Sequence, residues 1–293
     1  MDKDKIIAHF GLDFYQKVVR DLDNYKEVWG LSDFEQIDYY SVNCLFQCKS
    51  TKYGLCVLKI GNNAKGTENE YRILREYNGR GFCKVFEEDI ANGVLLIERI
   101  APGTQLRAEP DLDKRLELFY QVSCGLHIKP ADESAYPTYM GWVSRITEYM
   151  SSRKDEKELS EKMVWAKQIC RRLWDKYPNR MLLHGDLHHD NILLGSDALY
   201  HIVDPKGVIG DSVFDIPRFI LNEFEDEFNE DFKKKYIRIT RTLSDKFDIP
   251  EHDIRCLTYV ETCMANCWSV EDGEAPDMAS VFFTEAMMNE MFL

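Results

Sequence analysis

The stretch LLHGDLHHDN, residues 182–191, concentrates side chains that could bind a metal ion or move protons. Its HxDxHH pattern also occurs in binuclear metal hydrolases, which use His and Asp ligands from several strands. Only His201 lies nearby. The more distant histidines belong to helix-like or terminal segments: His9, His127 and His252. The sequence therefore offers few further ligands for a binuclear metal centre, although a metal hydrolase stays open as an alternative at this point.

Phosphoryl transfer would use fewer histidines of this stretch and more of the surrounding chain. It needs a carboxylate to orient or deprotonate the attacking hydroxyl, and oxygen ligands for Mg²⁺. Asp186, Asn191 and Asp204 supply these groups. If NILL and YHIV pair as an antiparallel hairpin, Asn191 before one strand and Asp204 after the other are brought to the same end.

The elements that must position these side chains differ between the two parts of the chain. Residues 37–100 read as strands with one helix, TENEYRILREYN, between them. After APGT the pattern becomes helical, at residues 111–128, at 142–177 with a break near SSRKDEKELSEK, and from 216 onward. Short apolar pieces between residues 181 and 203 have the length of small strands. The sequence therefore predicts an α+β fold with an N-terminal lobe, 1–101, and a helical C-terminal lobe, 102–293.

HGDLHHDN followed by IVDPKG resembles the catalytic loop and metal-binding segment of the aminoglycoside phosphotransferase and choline kinase superfamily, which has a bilobal protein-kinase-like fold. DPKG and the later CWSVEDGE, residues 267–274, are similar to the streptomycin 6-phosphotransferase and hydroxyurea phosphotransferase branch. The similarity extends over about residues 59–274 and is strongest at 182–215. It implies an antiparallel sheet lobe with one helix and a larger helical lobe.

The resemblance also implies ATP and Mg²⁺ as cofactors and assigns roles to residues. Asp186 corresponds to the catalytic aspartate, and Asn191 and Asp204 correspond to the metal ligands. The linking segment LLIERIAPGT would meet adenine through backbone groups from Glu98 to Ile100. The phosphate loop would be YYSVNCLF, which contains no glycine, so individual roles there are not assigned.

A kinase-like site also needs a strand lysine for the α- and β-phosphates and a helical glutamate to hold it. Lys59 lies on the strand GLCVLKIG, on one face with Leu55 and Val57. Glu70 shares a helical stripe with Ile73, Leu74 and Tyr77, whereas Glu68 aligns with Arg72 on a solvated face. The spacing therefore favours Glu70 as the partner of Lys59. An ordinary N-terminal carboxylate favoured by the helix dipole is the alternative for Glu70.

Residues next to the motifs have more than one interpretation. Lys206 could place a cation beside the transferring phosphoryl group, or it could be a surface lysine in a turn. By the resemblance, His184 holds the catalytic loop through hydrogen bonds, and His188 either approaches the γ-phosphate or packs in the loop. His189 and Asp190 are expected to face solvent. Asp211 and Asp215 are expected to cap and anchor the loop.

Composition limits the partners. The chain has 293 residues with a net charge of −14, which disfavours nucleic acid and anionic membranes and is compatible with a cationic substrate. The start of the chain lacks the apolar core of a signal peptide, so a cytoplasmic protein is expected, as a monomer or dimer. Its nine cysteines fit reduced thiols. The acidic clusters at 222–231 and 271–274 could attract an amino or guanidino group, or could be solvated helix faces.

The sequence thus predicts an ATP- and Mg²⁺-dependent phosphotransferase that acts on a hydroxyl of a small molecule. A streptomycin-like aminoglycoside is the expected acceptor. The alternatives are a kinase of another small metabolite, such as an amino alcohol or a sugar, and a non-catalytic kinase-like module that binds nucleotide. Retention of Lys59, Glu70, Asp186, Asn191 and Asp204 argues against the non-catalytic module.

Overall fold

The computed structural model describes residues 1–37, 43–62, 64–225 and 227–290. The chain forms two compact units. The first contains Met1–Gln105 and Ile192–Lys206, and the second contains Leu106–Asn191 and Gly207–Leu293. The segment Ile192–Lys206 thus groups with the N-terminal residues. The division into lobes 1–101 and 102–293 stays a prediction.

The strands are short and mostly antiparallel. In chain order they are β1 Leu31–Ile37, β2 Asn43–Ser50, β3 Gly54–Gly61, β4 Val85–Asp89, β5 Val94–Glu98, β6 Pro102–Gln105, β7 Met181–Leu183, β8 Ile192–Gly195, β9 Tyr200–Ile202 and β10 Val208–Gly210.

Ten helices lie before, between and after these strands in the described sequence. In chain order they are α1 Lys3–Phe10, α2 Leu12–Val28, α3 Ala64–Tyr77, α4 Leu112–Ser123, α5 Tyr139–Ser152, α6 Lys157–Lys176, α7 Ile216–Leu221, α8 Glu230–Phe247, α9 Glu251–Glu271 and α10 Met278–Asn289.

A five-stranded antiparallel sheet in the order β1-β2-β3-β5-β4 forms the centre of the first unit. Along β3 the side chains alternate between two faces, and Cys56, Leu58 and Ile60 are fully buried on one of them. That face belongs to a core shared with apolar side chains of α1 and α2, including Ile6 and Val18. The opposite face carries Lys59, which is oriented by the same two-residue period.

A second, three-stranded sheet of the first unit has the order β6-β8-β9. In it Ile192 pairs with Ile202 and Leu193 with His201, in antiparallel register. The predicted pairing of NILL with YHIV is therefore confirmed. Phe82 forms a bridge to Ile202, and Cys83 N donates to Ile202 O at 3.0 Å, so this hairpin is tied to the chain between α3 and β4.

The second unit is built from helices packed around α9. Most of α9 is buried, as expected for a central helix whose entire circumference packs against neighbours. Helices α5 and α6 are separated at residues 153–156, where a break was predicted. The small strand β7 pairs with β10, so that Leu182 lies opposite Ile209. Leu182, Leu183 and Ile209 are buried, which fixes the chain on both sides of the catalytic motif.

The predicted α+β fold class, a strand-rich N-terminal part followed by a larger helical part, is confirmed. No element was predicted before residue 37, whereas α1, α2 and β1 lie there. β10 was also missed, since a strand of three residues gives almost no periodic signal. Within the described ranges, no helix is long and apolar enough to cross a membrane.

Candidate active site

In the first unit, Lys59 lies between two carboxylates. Its Nζ is 2.7 Å from Glu70 Oε2 and 2.5 Å from Asp204 Oδ1. Lys59 is only 5% exposed and Glu70 only 6%, so both ionisable side chains are buried. Removing an ammonium group from water is costly unless opposite charges and hydrogen bonds compensate. The two carboxylates supply that compensation.

Regular secondary structure explains why these side chains meet. Lys59 is on β3, and α3 presents Glu70 on the buried stripe that also contains Ile73, Leu74 and Tyr77. Glu68, one turn away on the other face, pairs with Arg72 at 2.9 Å in an exposed position. The predicted choice of Glu70 over Glu68 as the partner of Lys59 is therefore confirmed as a contact.

The electrostatics of this group keep its lysine charged. Burial alone would lower the pKa of Lys59, but Glu70 and Asp204 raise it above its usual value. Burial would raise the pKa of Asp204, but Lys59 and Lys206 hold it well below its usual range. Burial raises the pKa of Glu70, partly opposed by Lys59. Among the described residues, no hydrogen-bond donor reaches the second carboxylate oxygen of Glu70, Oε1.

Asp204 is held from its other side by the turn that follows it. Its backbone is left-handed, with φ of 59°, which is uncommon for a residue other than glycine and occurs often at functional sites. Lys206 Nζ donates to Asp204 Oδ2 at 2.6 Å. Asn69 Nδ2, on α3 next to Glu70, donates to Lys206 O. The helix that carries Glu70 is thus tied to the turn that carries Asp204. A catalytic role for Lys206 stays a prediction.

In the second unit, the motif HGD begins where β7 ends. Gly185 is left-handed, with φ of 80°, and a Cβ there would come within 2.8 Å of the Trp142 ring. Only glycine fits this position without strain. Asp186 N donates to His184 Nδ1 at 3.0 Å, so the imidazole stabilises the turn through a hydrogen bond to its backbone. The predicted loop-holding role of His184 is confirmed by this contact.

Asp215 anchors the same loop. Its carboxylate accepts hydrogen bonds from His184 N and Gly185 N, both at 2.8 Å, and contacts His127 Nε2 at 2.8 Å. Burial would raise the pKa of Asp215, but His127 and the loop amide of Gly185 lower it. Asp211 caps the short helical turn after β10 by accepting from Val213 N. The predicted structural roles of Asp211 and Asp215 are therefore confirmed.

Asn191 is oriented by the catalytic loop itself. Its Nδ2 donates to Asp186 O at 3.0 Å and lies 3.2 Å from His188 Nε2. This fixes the amide so that Oδ1 points away from the carbonyl of Asp186, and no hydrogen bond from the described residues reaches Oδ1. An amide oxygen held in this way has the donor chemistry that Mg²⁺ prefers. The ionised carboxylate of Asp204 has it as well.

Asp186 has a partner that the sequence analysis missed. Arg218 Nε donates to Asp186 Oδ1 at 2.7 Å. Arg218 Nη1 lies 3.6 Å from Glu261 Oε1, and Tyr139 OH donates to Glu261 Oε2 at 2.6 Å. Burial would lower the pKa of Arg218, but Glu261 and Asp186 raise it. Burial raises the pKa of Glu261. One feature of the sequence could have indicated this contact: Arg218 lies inside the apolar run IPRFIL, where a charged side chain needs a partner.

The expectation that His189 and Asp190 face solvent is wrong. His189 is 1% exposed, and its Nε2 lies 2.7 Å from Glu223 Oε1. Asp190 forms a two-pronged ion pair with Arg107, at 2.7 and 2.9 Å. A single turn of 3₁₀ helix at residues 189–191 directs these side chains toward partners remote in sequence. His188 is largely buried in the loop, where burial lowers its pKa.

The structure gives the positions of Glu98 and Ile100, and their predicted roles in adenine binding stay predictions. Glu98 ends β5, and its backbone N donates to Lys84 O at 2.8 Å; Ile100 follows two residues later. Contacts of adenine with this segment stay a prediction. Half of the predicted phosphate loop, residues 39–42 of 39–46, lies outside the described residues.

The described parts of the chain contain no group of three or more His, Cys, Asp or Glu side chains arranged to hold a metal ion. The histidines of LLHGDLHHDN instead bind backbone amides and carboxylates, as described above. Mg²⁺ needs fewer protein ligands, because phosphate oxygens and water complete its coordination.

Comparisons with known proteins identify relatives of this chain. The chain is 23% identical over 208 residues to the streptomycin 6-kinase of Streptomyces griseus, a match that spans 68% of this chain and 66% of that protein. Among solved structures, aminoglycoside phosphotransferase APH(4)-Ia in complex with ADP and hygromycin B aligns with a TM-score of 0.63 and 15% identity, over 91% of this chain and 96% of the other.

Choline kinase LicA from Streptococcus pneumoniae aligns with a TM-score of 0.63 and 17% identity, over 93% of this chain and 97% of the other. At such identities the structural likeness shows the fold, which is the predicted kinase-like one. The profile described as "Aminoglycoside/hydroxyurea antibiotic resistance kinase" matches residues 41–273, beginning earlier than the resemblance predicted. The predicted enzyme class, a phosphotransferase, is that of this family. The chain belongs to the aminoglycoside/hydroxyurea antibiotic resistance kinase family.

Proposed function

We propose that the chain transfers the γ-phosphoryl group of ATP to a hydroxyl of a cationic small molecule, an aminoglycoside of the streptomycin type. The observation that carries the proposal is the buried Lys59 held by Glu70 and Asp204. A purely structural core rarely buries such a group, because replacing it by apolar side chains is often neutral or stabilising. A charged lysine is useful where phosphates must be bound.

In this proposal Lys59 positions the α- and β-phosphates, and Glu70 fixes the direction of its ammonium. Lys206, bound to the other oxygen of Asp204, supplies a second cation for the charge on the phosphates. Asn191 and Asp204 would hold Mg²⁺, which would neutralise charge on the transferring group. Adenine would contact the backbone near Glu98 and Ile100.

Asp186 accepts or directs the proton of the acceptor hydroxyl. Its carboxylate is held by Arg218 through Oδ1, while the backbone of the loop is fixed by His184 and Asp215. Such positioning matters because the orientation of the attacking group contributes much of the rate in phosphoryl transfer. Arg218 acts through Asp186 and is a positioning residue.

The acceptor follows from similarity and charge. The relative from Streptomyces griseus is a streptomycin 6-kinase, and the family description includes aminoglycosides and hydroxyurea. The net charge of −14 and the three carboxylates at residues 271–274 favour an acceptor that carries guanidinium or ammonium groups.

A coupled ADP-release assay with streptomycin, other aminoglycosides, hydroxyurea, amino alcohols and sugars tests the proposal. We expect streptomycin to stimulate Mg²⁺-dependent ADP release. Asp186→Asn should lower kcat on the order of 10²–10⁴-fold, because the amide cannot accept the hydroxyl proton, with the KM for ATP unchanged. Asp197→Asn, at the turn between β8 and β9, is the matched control and should behave like the wild type.

Two results would contradict the proposal. One is an absence of acceptor-stimulated ADP release across the whole panel, which would favour a nucleotide-binding module. The other is full activity of Asp186→Asn, which would remove Asp186 from the reaction.

A further inference from the structure

Helices α5 and α9 contact each other through three successive pairs of side chains. The first pair is Tyr139 with Glu261, joined by the 2.6 Å hydrogen bond, both nearly fully buried. The second is Trp142 with Trp268, whose rings meet edge to face with centroids 6.0 Å apart. The third is an exposed, two-pronged ion pair between Arg145 and Glu271, at 2.6 and 2.9 Å. Along the two helices the contacts thus change from a buried hydrogen bond, through a partly exposed aromatic pair, to an exposed ion pair.

The first of these pairs leads directly to the catalytic aspartate. Glu261 contacts Arg218, and Arg218 binds Asp186. Trp142 follows Tyr139 by one helical turn on α5, so its ring lies about 5 Å further along the helix. The edge of that ring lies against Gly185, the residue before Asp186, as the close approach of a hypothetical Cβ shows. Trp142 therefore contacts the catalytic loop at the residue before Asp186.

Both tryptophans are partly exposed, unlike the other aromatic residues near the catalytic loop, such as Tyr139 and Phe214. A half-exposed indole offers a broad apolar face with a negative quadrupole, which attracts guanidinium and ammonium groups. Because the two rings meet edge to face, each ring keeps a face that the other ring does not cover.

The end of α9 also favours cations. Its last turn contains Trp268 and Glu271 but no basic residue, and the carbonyl end of a helix carries partial negative charge. Two guanidinium groups of the protein already bind here. Arg145 binds Glu271, and Arg153 Nη1 donates to Val270 O at 3.2 Å. The chemistry of this end is thus suited to guanidinium groups.

We infer that Trp142 and Trp268 form the wall against which the acceptor binds, and that this wall selects a ring bearing guanidinium or ammonium groups over a small uncharged acceptor. The inference rests on the proposed function, since it concerns the acceptor side of the same site. The acceptor ring lies on the indoles, and its cationic groups extend toward the end of α9. Its hydroxyl then lies beside Asp186.

Variants of Trp268 test the wall, because Trp268 does not touch the catalytic loop through Gly185 as Trp142 does. Trp268→Leu should raise the KM for streptomycin about tenfold, the value expected for loss of one cation–aromatic contact. The KM for ATP should not change. Trp268→Phe retains a ring and should show a smaller rise. Trp165→Leu is the matched control, because Trp165 is also partly exposed and packs on Tyr259 of the same helix α9.

Binding of streptomycin without nucleotide, followed by calorimetry, separates this inference from the proposed function. Selective loss of binding in Trp268→Leu supports the wall even if no acceptor is phosphorylated. Circular dichroism and thermal unfolding establish that each variant is folded. Three results would overturn the inference: wild-type protein that does not bind streptomycin, folded Trp268→Leu that binds it as tightly as wild type, or a higher kcat/KM for hydroxyurea than for streptomycin.

Discussion

Two groups in this protein have the same composition, a cation between two carboxylates, and differ in how tightly the cation is held. Lys59 contacts Glu70 and Asp204 at 2.7 and 2.5 Å, and its side chain is 6% exposed. Arg218 contacts Asp186 at 2.7 Å and Glu261 only at 3.6 Å, and its side chain is 26% exposed.

The difference fits different tasks. Lysine is a compact point charge, suited to binding phosphates once its partners are rearranged, whereas arginine presents a planar fork that fixes the orientation of a carboxylate. In the proposed reaction, the first group supplies charge for binding phosphates and the second fixes the orientation of Asp186. A third network, Glu223 with Arg115 and His189, has the same chemistry but no predicted substrate contact, and serves as a reference.

The largest effect is expected at Lys59. Lys59→Met leaves Glu70 buried without its cation, and we expect a loss of about 3–5 kcal/mol in the free energy of unfolding, together with loss of ATP turnover. Urea denaturation and the ADP-release assay measure the two effects. The double variant Lys59→Met with Glu70→Gln should regain stability but not turnover. Lys52→Met, which breaks an exposed pair with Glu87, should cost at most about 1 kcal/mol.

If Lys59→Met retained ATP turnover, Lys59 would have a structural role only. The proposed difference in task between Lys59 and Arg218 would then be wrong.

The next effect is the acid sensitivity of the reference network. Burial would raise the pKa of Glu223, but His189 and Arg115 lower it to about 2, from an ordinary value of 4.5. A carboxylate with a lowered pKa stabilises the fold above pH 4.5, and this stabilisation is lost as the pH falls toward 2. The contribution is about 3 kcal/mol at neutral pH.

Chemical denaturation of wild type and Glu223→Gln between pH 6 and pH 2, spanning the two pKa values, measures this contribution. The wild type should lose it on acidification, and the variant should show a correspondingly flatter profile. Equal slopes for the two proteins would show that Glu223 carries an ordinary pKa.

The smallest effect is expected from Arg218→Lys. The charge is retained but the planar fork is lost, so Asp186 should be less well oriented and kcat should fall about tenfold, or about 1.4 kcal/mol. Stability and the KM for ATP should stay near wild-type values. Because only the orientation of the Asp186 carboxylate is affected, the pH dependence of kcat should keep its shape. A drop in ATP affinity instead would assign Arg218 to nucleotide binding.

These two groups also differ in how well the sequence predicts them. Lys59 and Glu70 lie in regular elements, where the two-residue and 3.6-residue periods identify the buried face. Asp186, Asn191 and Asp204 are predicted as site residues because their spacing within one short stretch is characteristic of kinases. Local patterns of this kind persist in the folded chain.

Arg218 and Glu261 were missed because their meeting depends on the packing of α7 against α9, and no local pattern reports a contact between distant helices. The same limit explains the error at His189 and Asp190. Two polar residues in a loop are predicted to be exposed. Their contacts with Glu223 and Arg107, which are distant in sequence, form only in the folded chain. The pairing of Trp142 with Trp268 is equally invisible along the sequence.

The three hydrogen bonds accepted by Asp215 have a consequence for how new specificities can arise in this family. Two of them hold the backbone of the loop at His184 and Gly185, and the third joins Asp215 to His127. None of these three residues lies on α9, which carries Trp268. If Trp268 contacts the acceptor as proposed, a substitution at position 268 can change the acceptor while the hydrogen bonds that hold the loop before Asp186 are kept.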